Sequence, residues 1–279
     1  MELIEYLKVI LLGIIEGITE WLPISSTGHL IIVDEFVKLN MSEEFKEMFD
    51  VVVQLGAILA VVVIYFMKLL PLSFNVKKEN GLVKKVEWDT DKLFMWCKII
   101  VACLPAMIIG LPFNDKIDEL FYNAPTVAVT LIVYGIAFII IEKIHKGKSF
   151  KINTIGEVTF KTALLIGVFQ VLALIPGTSR SGATIVGAML IGVDRTTAAE
   201  FTFFLAIPVM FGASLLKLVK FGLAFTSAEL TALILGMVVA FVVSVIAIKF
   251  LMSYIKKHDF SVFGWYRIIL GIIVIITII

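Results

Sequence analysis

The chain has little of what a soluble protein uses to stay in water, and little of what a secreted one uses to cross-link itself. Only 17% of its 279 residues are charged and only two are cysteines. Cys97 and Cys103 lie six apart inside one apolar run, a spacing that makes neither a metal clip nor a disulfide framework, so they are read as packing thiols. Net charge is +1, and the charges cluster in short connections without forming a basic face, which excludes a nucleic-acid partner. The first residues lack a basic region followed by a small-residue cleavage site, so no removed signal peptide is expected. Histidine is scarce too: His145 and His258 fall in lysine-rich segments and are expected to be solvated, which leaves His29 as the one imidazole in apolar surroundings.

What is abundant is apolar surface. Sixty per cent of the residues are hydrophobic and mean hydropathy is +1.03, far more than one soluble core could bury. The composition therefore predicts an all-α polytopic membrane protein, a single integral membrane domain over residues 1–279. Full spans are expected at about 49–70, 94–113, 125–142, 200–220, 228–252 and 263–279, each near the roughly 20 residues needed to cross. The segments 4–33 and 160–193 break this pattern, because proline, glycine, hydroxyl and charged residues interrupt each near its middle. Irregular backbone at membrane depth is tolerated only where protein or a water-filled cavity covers it. Both segments are expected to be re-entrant helical hairpins with their tips meeting inside, added to about six full transmembrane helices.

The two hairpins also resemble each other. Gly13 and Gly167, Gly28 and Gly182, Ser25 and Ser179, and Thr27 and Ser181 are all 154 residues apart. The spacing marks an internal repeat, approximately 1–145 and 155–279, in which each half is one hairpin followed by three spans. An odd number of crossings per half inserts the second half upside down, so an inverted-topology repeat is expected, with its site at the repeat interface. Residues 68–92 carry six lysines and 142–161 carry five, whereas 34–47 and 114–124 are net acidic. The positive-inside rule puts the lysine-rich connections in the cytoplasm and opens the first hairpin to the outside.

Ionisable residues in such apolar segments are costly and mark function. Glu16 and Glu20, four apart on one helical face, suit a hard divalent cation that keeps waters and bridges phosphate oxygens; the bland alternative is a pair at the end of an interfacial helix. Ser25, Ser26 and Thr27 follow Pro23; one of them serves as an N-cap for the next half-helix, and capping does not account for all three. His29, three residues beyond Ser26, is a candidate base for a serine or a water, or an acid for a leaving group. In the second hairpin, Thr178, Ser179, Arg180, Ser181 and Thr184 set hydroxyls and amides around one guanidinium, which suits phosphate oxygens. The alternative for Arg180 is a pairing with Glu16 or Glu20 that holds the halves together, and both roles can coexist before substrate binds.

The runs Glu16–His29 and Pro176–Thr184 resemble the undecaprenyl-diphosphate phosphatase family, also called bacitracin-resistance proteins, and length, repeat and motif placement match over essentially the whole chain. The resemblance implies hydrolysis of the C55 polyprenyl diphosphate to the monophosphate and inorganic phosphate, recycling the lipid carrier for cell-wall synthesis. It implies a multi-pass protein of the bacterial plasma membrane with its site open to the outer face, and dependence on Mg2+ or Ca2+. By the same resemblance Glu16 and Glu20 are the acidic, metal-holding pair, Ser26 and His29 the catalytic pair, and Arg180 the phosphate-binding arginine. Ser25, Thr27, Thr178, Ser179, Ser181 and Thr184 are the expected substrate-binding set. Whether Ser26, His29 or a metal-bound water attacks stays open, as does a homodimer. The rival expectation is a carrier that flips polyprenyl phosphate through the same inverted-repeat site.

Overall fold

A computed structural model describes residues 2–78, 82–222 and 224–278. The chain starts with α1 (Leu3–Thr19) and α2 (Ser26–Phe36), separated by a turn, and continues through α3 (Glu43–Val52), α4 (Gln54–Ile64) and the single turn α5 (Phe66–Leu69). Two strands follow, β1 (Leu72–Lys78) and β2 (Leu82–Trp88), then the long helices α6 (Thr90–Phe121) and α7 (Ala124–His145). The second half opens with α8 (Phe160–Val171) and α9 (Arg180–Ile191), again separated by a break. It closes with α10 (Arg195–Phe221), α11 (Ser227–Ile255) and α12 (Ser261–Ile278).

Six segments among the described residues are long and apolar enough to cross a membrane: Glu43–Ile64, Thr90–Phe113, Ala124–His145, Arg195–Phe221, Ser227–Ile255 and Ser261–Ile278. Large apolar side chains such as Ile108, Val129, Ile246, Phe250 and Ile276 point outward from them. A soluble surface would not carry such a belt, and lipid would. The chain is a multi-pass membrane protein.

The structure departs from the expected architecture at the first span, at the connection after the second, and in a pair of strands. The first starts at Glu43 rather than 49, because Ser42 caps α3 by accepting from Phe45 N at 3.2 Å and Phe45, Met48, Phe49 and Val52 turn inward on one face. The second span ends at Phe113 as expected, but its helix continues through Pro105 and Pro112 to Phe121, so most of the acidic stretch 114–124 is helix rather than connection. Proline is tolerated inside membrane helices, and beyond Pro112 the apolar residues Ile117, Leu120 and Phe121 keep helical spacing. The chain is also not all-α, since β1 and β2 form an antiparallel pair from Leu72 opposite Trp88 to Lys78 opposite Leu82. The first strand alternates apolar and polar residues, a period of two that the lysine content obscured.

Packing pairs the two halves by exchange. α1 lies along α11 as α8 lies along α6, α4 packs on α11 as α10 packs on α6, and α7 and α12 pack on each other. At that last crossing the backbones nearly touch: a Cβ at Gly135 would lie 2.6 Å from the Gly264 carbonyl oxygen, and one at Gly264 would lie 2.7 Å from that of Gly135. α2 then packs on both α7 and α12, and α9 packs on α7, so this pair carries the broken segments.

Gly135→Leu should therefore lower thermal stability in detergent by about 1–3 kcal/mol, because the crossing cannot accept a side chain without separating the helices. Gly212→Ala, whose added Cβ meets nothing within 4 Å, should be neutral. Equal melting temperatures for both variants would show that the α7–α12 crossing is not a tight constraint.

Candidate active site

Local chemistry sets both breaks. α1 ends at Thr19 and is capped by Glu20, whose N–H donates to Glu16 O at 3.0 Å, and Pro23 disfavours helical backbone at the residue before it. Ser25 restarts the helix from φ +74, its Oγ accepting from Gly28 N at 3.3 Å. In the second break Leu172–Leu174 tighten into a 3-10 turn and Pro176-Gly177 follow. Gly177 adopts φ +84 where a Cβ would lie 2.2 Å from Thr130 Oγ1, so no other residue fits against α7 here. Ser179 then repeats the role of Ser25, with φ +71 and Oγ accepting from Gly182 N at 3.2 Å. These two serines are the non-glycine residues with positive φ among those described, and they are 154 residues apart.

The two breaks meet. Arg180 donates through one terminal nitrogen to Glu20 Oε1 at 2.8 Å and through the other to Thr202 O on α10 at 2.9 Å. Ser181 Oγ donates to Glu20 O at 3.3 Å and lies buried, while Ser179 and Ser181 share a hydrogen bond at 3.1 Å. Glu16 stands one helical turn before Glu20, 2% exposed, and neither of its carboxylate oxygens has a hydrogen-bond partner among the described residues. Such a group, left bare, costs several kcal/mol, and its retention marks a site that expects a ligand or cation.

The other expected residues are placed as follows. His29 is half-buried on α2, with Nδ1 2.7 Å from Ser25 O and Nε2 2.7 Å from the Tyr266 hydroxyl. Ser26 and Thr27 are half-buried at the start of α2, and no hydrogen bond joins Ser26 to His29. Thr178 is buried and enters through its backbone, whose carbonyl accepts from Arg267. Thr184 donates to Arg180 O at 2.9 Å and shares a hydrogen bond with Thr202 at 2.9 Å, which braces the arginine against α10. Trp21 goes into packing, edge-on to Phe203 at 5.3 Å between ring centroids.

The residue that sequence reading passed over is Arg267. It lies in the last apolar span and is fully buried, yet it donates to Pro23 O at 3.2 Å and to Gly177 O and Thr178 O at 2.8 Å each. One guanidinium thus holds the backbone of both turns. The signal was available, because an arginine inside an apolar run is an intramembrane ionisable group like the four that were noticed. Thr202 and Tyr266 carried no such signal.

Among the described residues no three His, Cys, Asp or Glu side chains gather to hold a metal unaided. The bare Glu16 carboxylate beside Glu20 nevertheless offers hard oxygen donors of the kind that a partly hydrated Mg2+ or Ca2+ accepts.

The profile of the bacitracin resistance protein BacA family matches residues 9–273. The chain belongs to that family. Relatives of this BacA family member include an undecaprenyl-diphosphatase 1 of Clostridium acetobutylicum, 64% identical over 99% of the chain and 98% of the relative. An undecaprenyl-diphosphatase of Lachnoclostridium phytofermentans is 62% identical over 98% and 97%, and one of Enterococcus faecalis 60% identical over 99% and 98%. The matched region contains both turns and Arg267 of this BacA family member.

The positive-φ serines give a test of sign. Ser25→Gly should cost only a few tenths of a kcal/mol, since glycine accepts φ +74 and tolerates the cap position, whereas Ser25→Ala should cost about 1 kcal/mol more by losing the cap and keeping the strain. Thermal unfolding in detergent checks the order, and alanine matching glycine would show that the backbone is not constrained there.

Proposed function

We propose that the chain is an undecaprenyl-diphosphatase: it hydrolyses undecaprenyl diphosphate to undecaprenyl phosphate and inorganic phosphate. The observation that carries this is the junction of Arg180 with Glu20 beside Glu16, which has no hydrogen-bond partner among the described residues, where two motifs 160 residues apart meet. Full-length relatives bearing that enzyme's name support it, and no observation favours a carrier over a hydrolase. Phosphoryl transfer needs positioning and charge stabilisation more than covalent novelty, and a guanidinium facing two carboxylates supplies both.

The proposed setting is a multi-pass protein of the bacterial plasma membrane, built as an inverted repeat with α1–α2 and α8–α9 as re-entrant hairpins and the site open to the outer face. The exchanged packing of the halves and the matched serines support the repeat, and the lysine-rich connections support the orientation. The substrate's isoprenoid tail stays in lipid while its diphosphate enters between the turns.

Arg180 is shared between Glu20 and Thr202 O at rest and turns its planar fork to the phosphate oxygens on binding. Glu16 and Glu20 would hold a divalent cation, Mg2+ or Ca2+, which would supply charge neutralisation at the diphosphate. The Ser26 hydroxyl attacks the terminal phosphorus and passes its proton to His29 Nε2. The bond from phosphorus to the bridging oxygen breaks, and its electron pair leaves with undecaprenyl phosphate. Water then hydrolyses the phosphoserine, and inorganic phosphate departs. Thr27, Ser179 and Ser181 serve the phosphate oxygens, while Thr178 and Thr184 hold the turn that presents Arg180.

Arg180→Lys should lose activity by about a hundredfold or more although its charge is kept, because an ammonium cannot make the paired contact. Phosphate release from a short-chain isoprenyl diphosphate in detergent measures this, and near-normal turnover would reduce Arg180 to a tie between halves. In the same assay excess chelator should abolish hydrolysis; full activity would recast Glu16 and Glu20 as acid–base groups.

Ser26→Ala should abolish turnover and the phosphoenzyme trapped by rapid quench. A loss of only about ten- to hundredfold with no trapped phosphoenzyme would instead assign the attack to water.

A further inference from the structure

Both ring nitrogens of His29 are engaged. Nδ1 lies 2.7 Å from the Ser25 carbonyl oxygen, and a carbonyl only accepts, so Nδ1 carries a proton. In the neutral ring Nε2 is left with the lone pair, and the Tyr266 hydroxyl, 2.7 Å away, donates to it. The two rings lie nearly parallel, 11° apart with centroids 5.6 Å from each other. Ser25 has therefore already set the tautomer, and Tyr266 is not needed to set it. The phenol instead fills the place from which another oxygen would pass its proton to His29.

Tyr266 is also built differently from its neighbour. Arg267 is fully buried and fixed to three carbonyls of the two turns, which anchors the backbone of α12 at this level. Tyr266 is 43% exposed, and its only side-chain hydrogen bond among the described residues is the one to His29. A fixed backbone with a half-free side chain lets the ring swing away without disturbing the turns.

We propose that Tyr266 is a placeholder on His29: its hydroxyl occupies Nε2 in the resting enzyme, and substrate displaces it so that the reacting oxygen takes its position. This rests on His29 handling the proton, as argued above. Tyr266 is a positioning residue that acts through His29 and lies outside both turn motifs.

Tyr266→Phe keeps the ring and its stacking and removes only the competing hydroxyl. In detergent, with a short-chain isoprenyl diphosphate, kcat/KM should rise about two- to tenfold, the size of one hydrogen bond exchanged for water, with the change in KM rather than in kcat. A non-hydrolysable isoprenyl diphosphonate should bind this variant more tightly by the same factor. Unchanged or reduced kcat/KM overturns the placeholder, a reduction showing that the hydroxyl takes part in the chemistry. Wild-type protein that releases no phosphate would sink the phosphatase reading instead, and diphosphonate affinity would still decide the placeholder. Should the variant fail to fold, nitrogen-15 histidine spectra of the wild type decide: saturating diphosphonate should shift His29 Nε2, and an unmoved signal overturns the proposal.

Discussion

A broken helix among apolar neighbours leaves carbonyl groups that water cannot satisfy, and the fold depends on how those carbonyls are met. Arg267 meets three of them, from Pro23, Gly177 and Thr178, with one guanidinium. An arginine offers five donors in a rigid fork, so one residue on a continuous helix can fix two irregular segments at once. The ring of Tyr134 lies 5.6 Å from that guanidinium and gives the buried cation a polarisable face. The register of the first turn against the second, and so the reach of Arg180 to Glu20, follows from this clasp. A second ionic clasp, Arg195 on Glu142 with Phe260 N donating to the same carboxylate, ties α7 and α10 to the start of α12.

The site keeps its charges unequally satisfied. Glu20 is paired with Arg180, Arg180 is shared with the Thr202 carbonyl, and Glu16 is buried without a hydrogen-bond partner among the described residues. Stability alone would favour pairing or removing Glu16, since a bare buried carboxylate is a cost with no structural return. Its presence one turn from Glu20 is intelligible as readiness for a ligand that brings positive charge or donates a proton. The hydroxyls divide in the same way: Thr184 is consumed in holding α9 to α10, while Ser26 has no hydrogen bond to His29.

Several features were open to reading because they depend on residues close together in the chain. The six crossing segments follow from uninterrupted apolar length, and the breaks at Pro23 and Pro176-Gly177 follow from residues that cannot continue a helix. A cap among Ser25, Ser26 and Thr27 is expected from their position after Pro23, whereas the matching cap by Ser179 and the positive φ of both serines are not. Other boundaries failed for physical reasons. α6 runs through two prolines, which helices among apolar neighbours tolerate, and α3 begins early because its charged residues lie on one face only. The β1–β2 pair was hidden because lysine content was weighed ahead of alternation.

By itself the sequence determined the solvent this protein lives in, the places where its helices break, and the polar and ionisable groups gathered at those breaks. Those properties are local: apolar length, proline and glycine geometry, and side-chain chemistry act over a few residues. Only the tertiary structure decided which of those groups meet. Arg180 could have paired with either glutamate, and the helix packing selects Glu20 and leaves Glu16 without a partner among the described residues. His29 could have faced Ser26 on its own helix, and instead its Nε2 hydrogen-bonds to Tyr266, 237 residues away. Such choices depend on the relative placement of α1, α2, α9 and α12, which the α7–α12 crossing and the Arg267 clasp fix through contacts that span the whole chain and leave no short-range pattern.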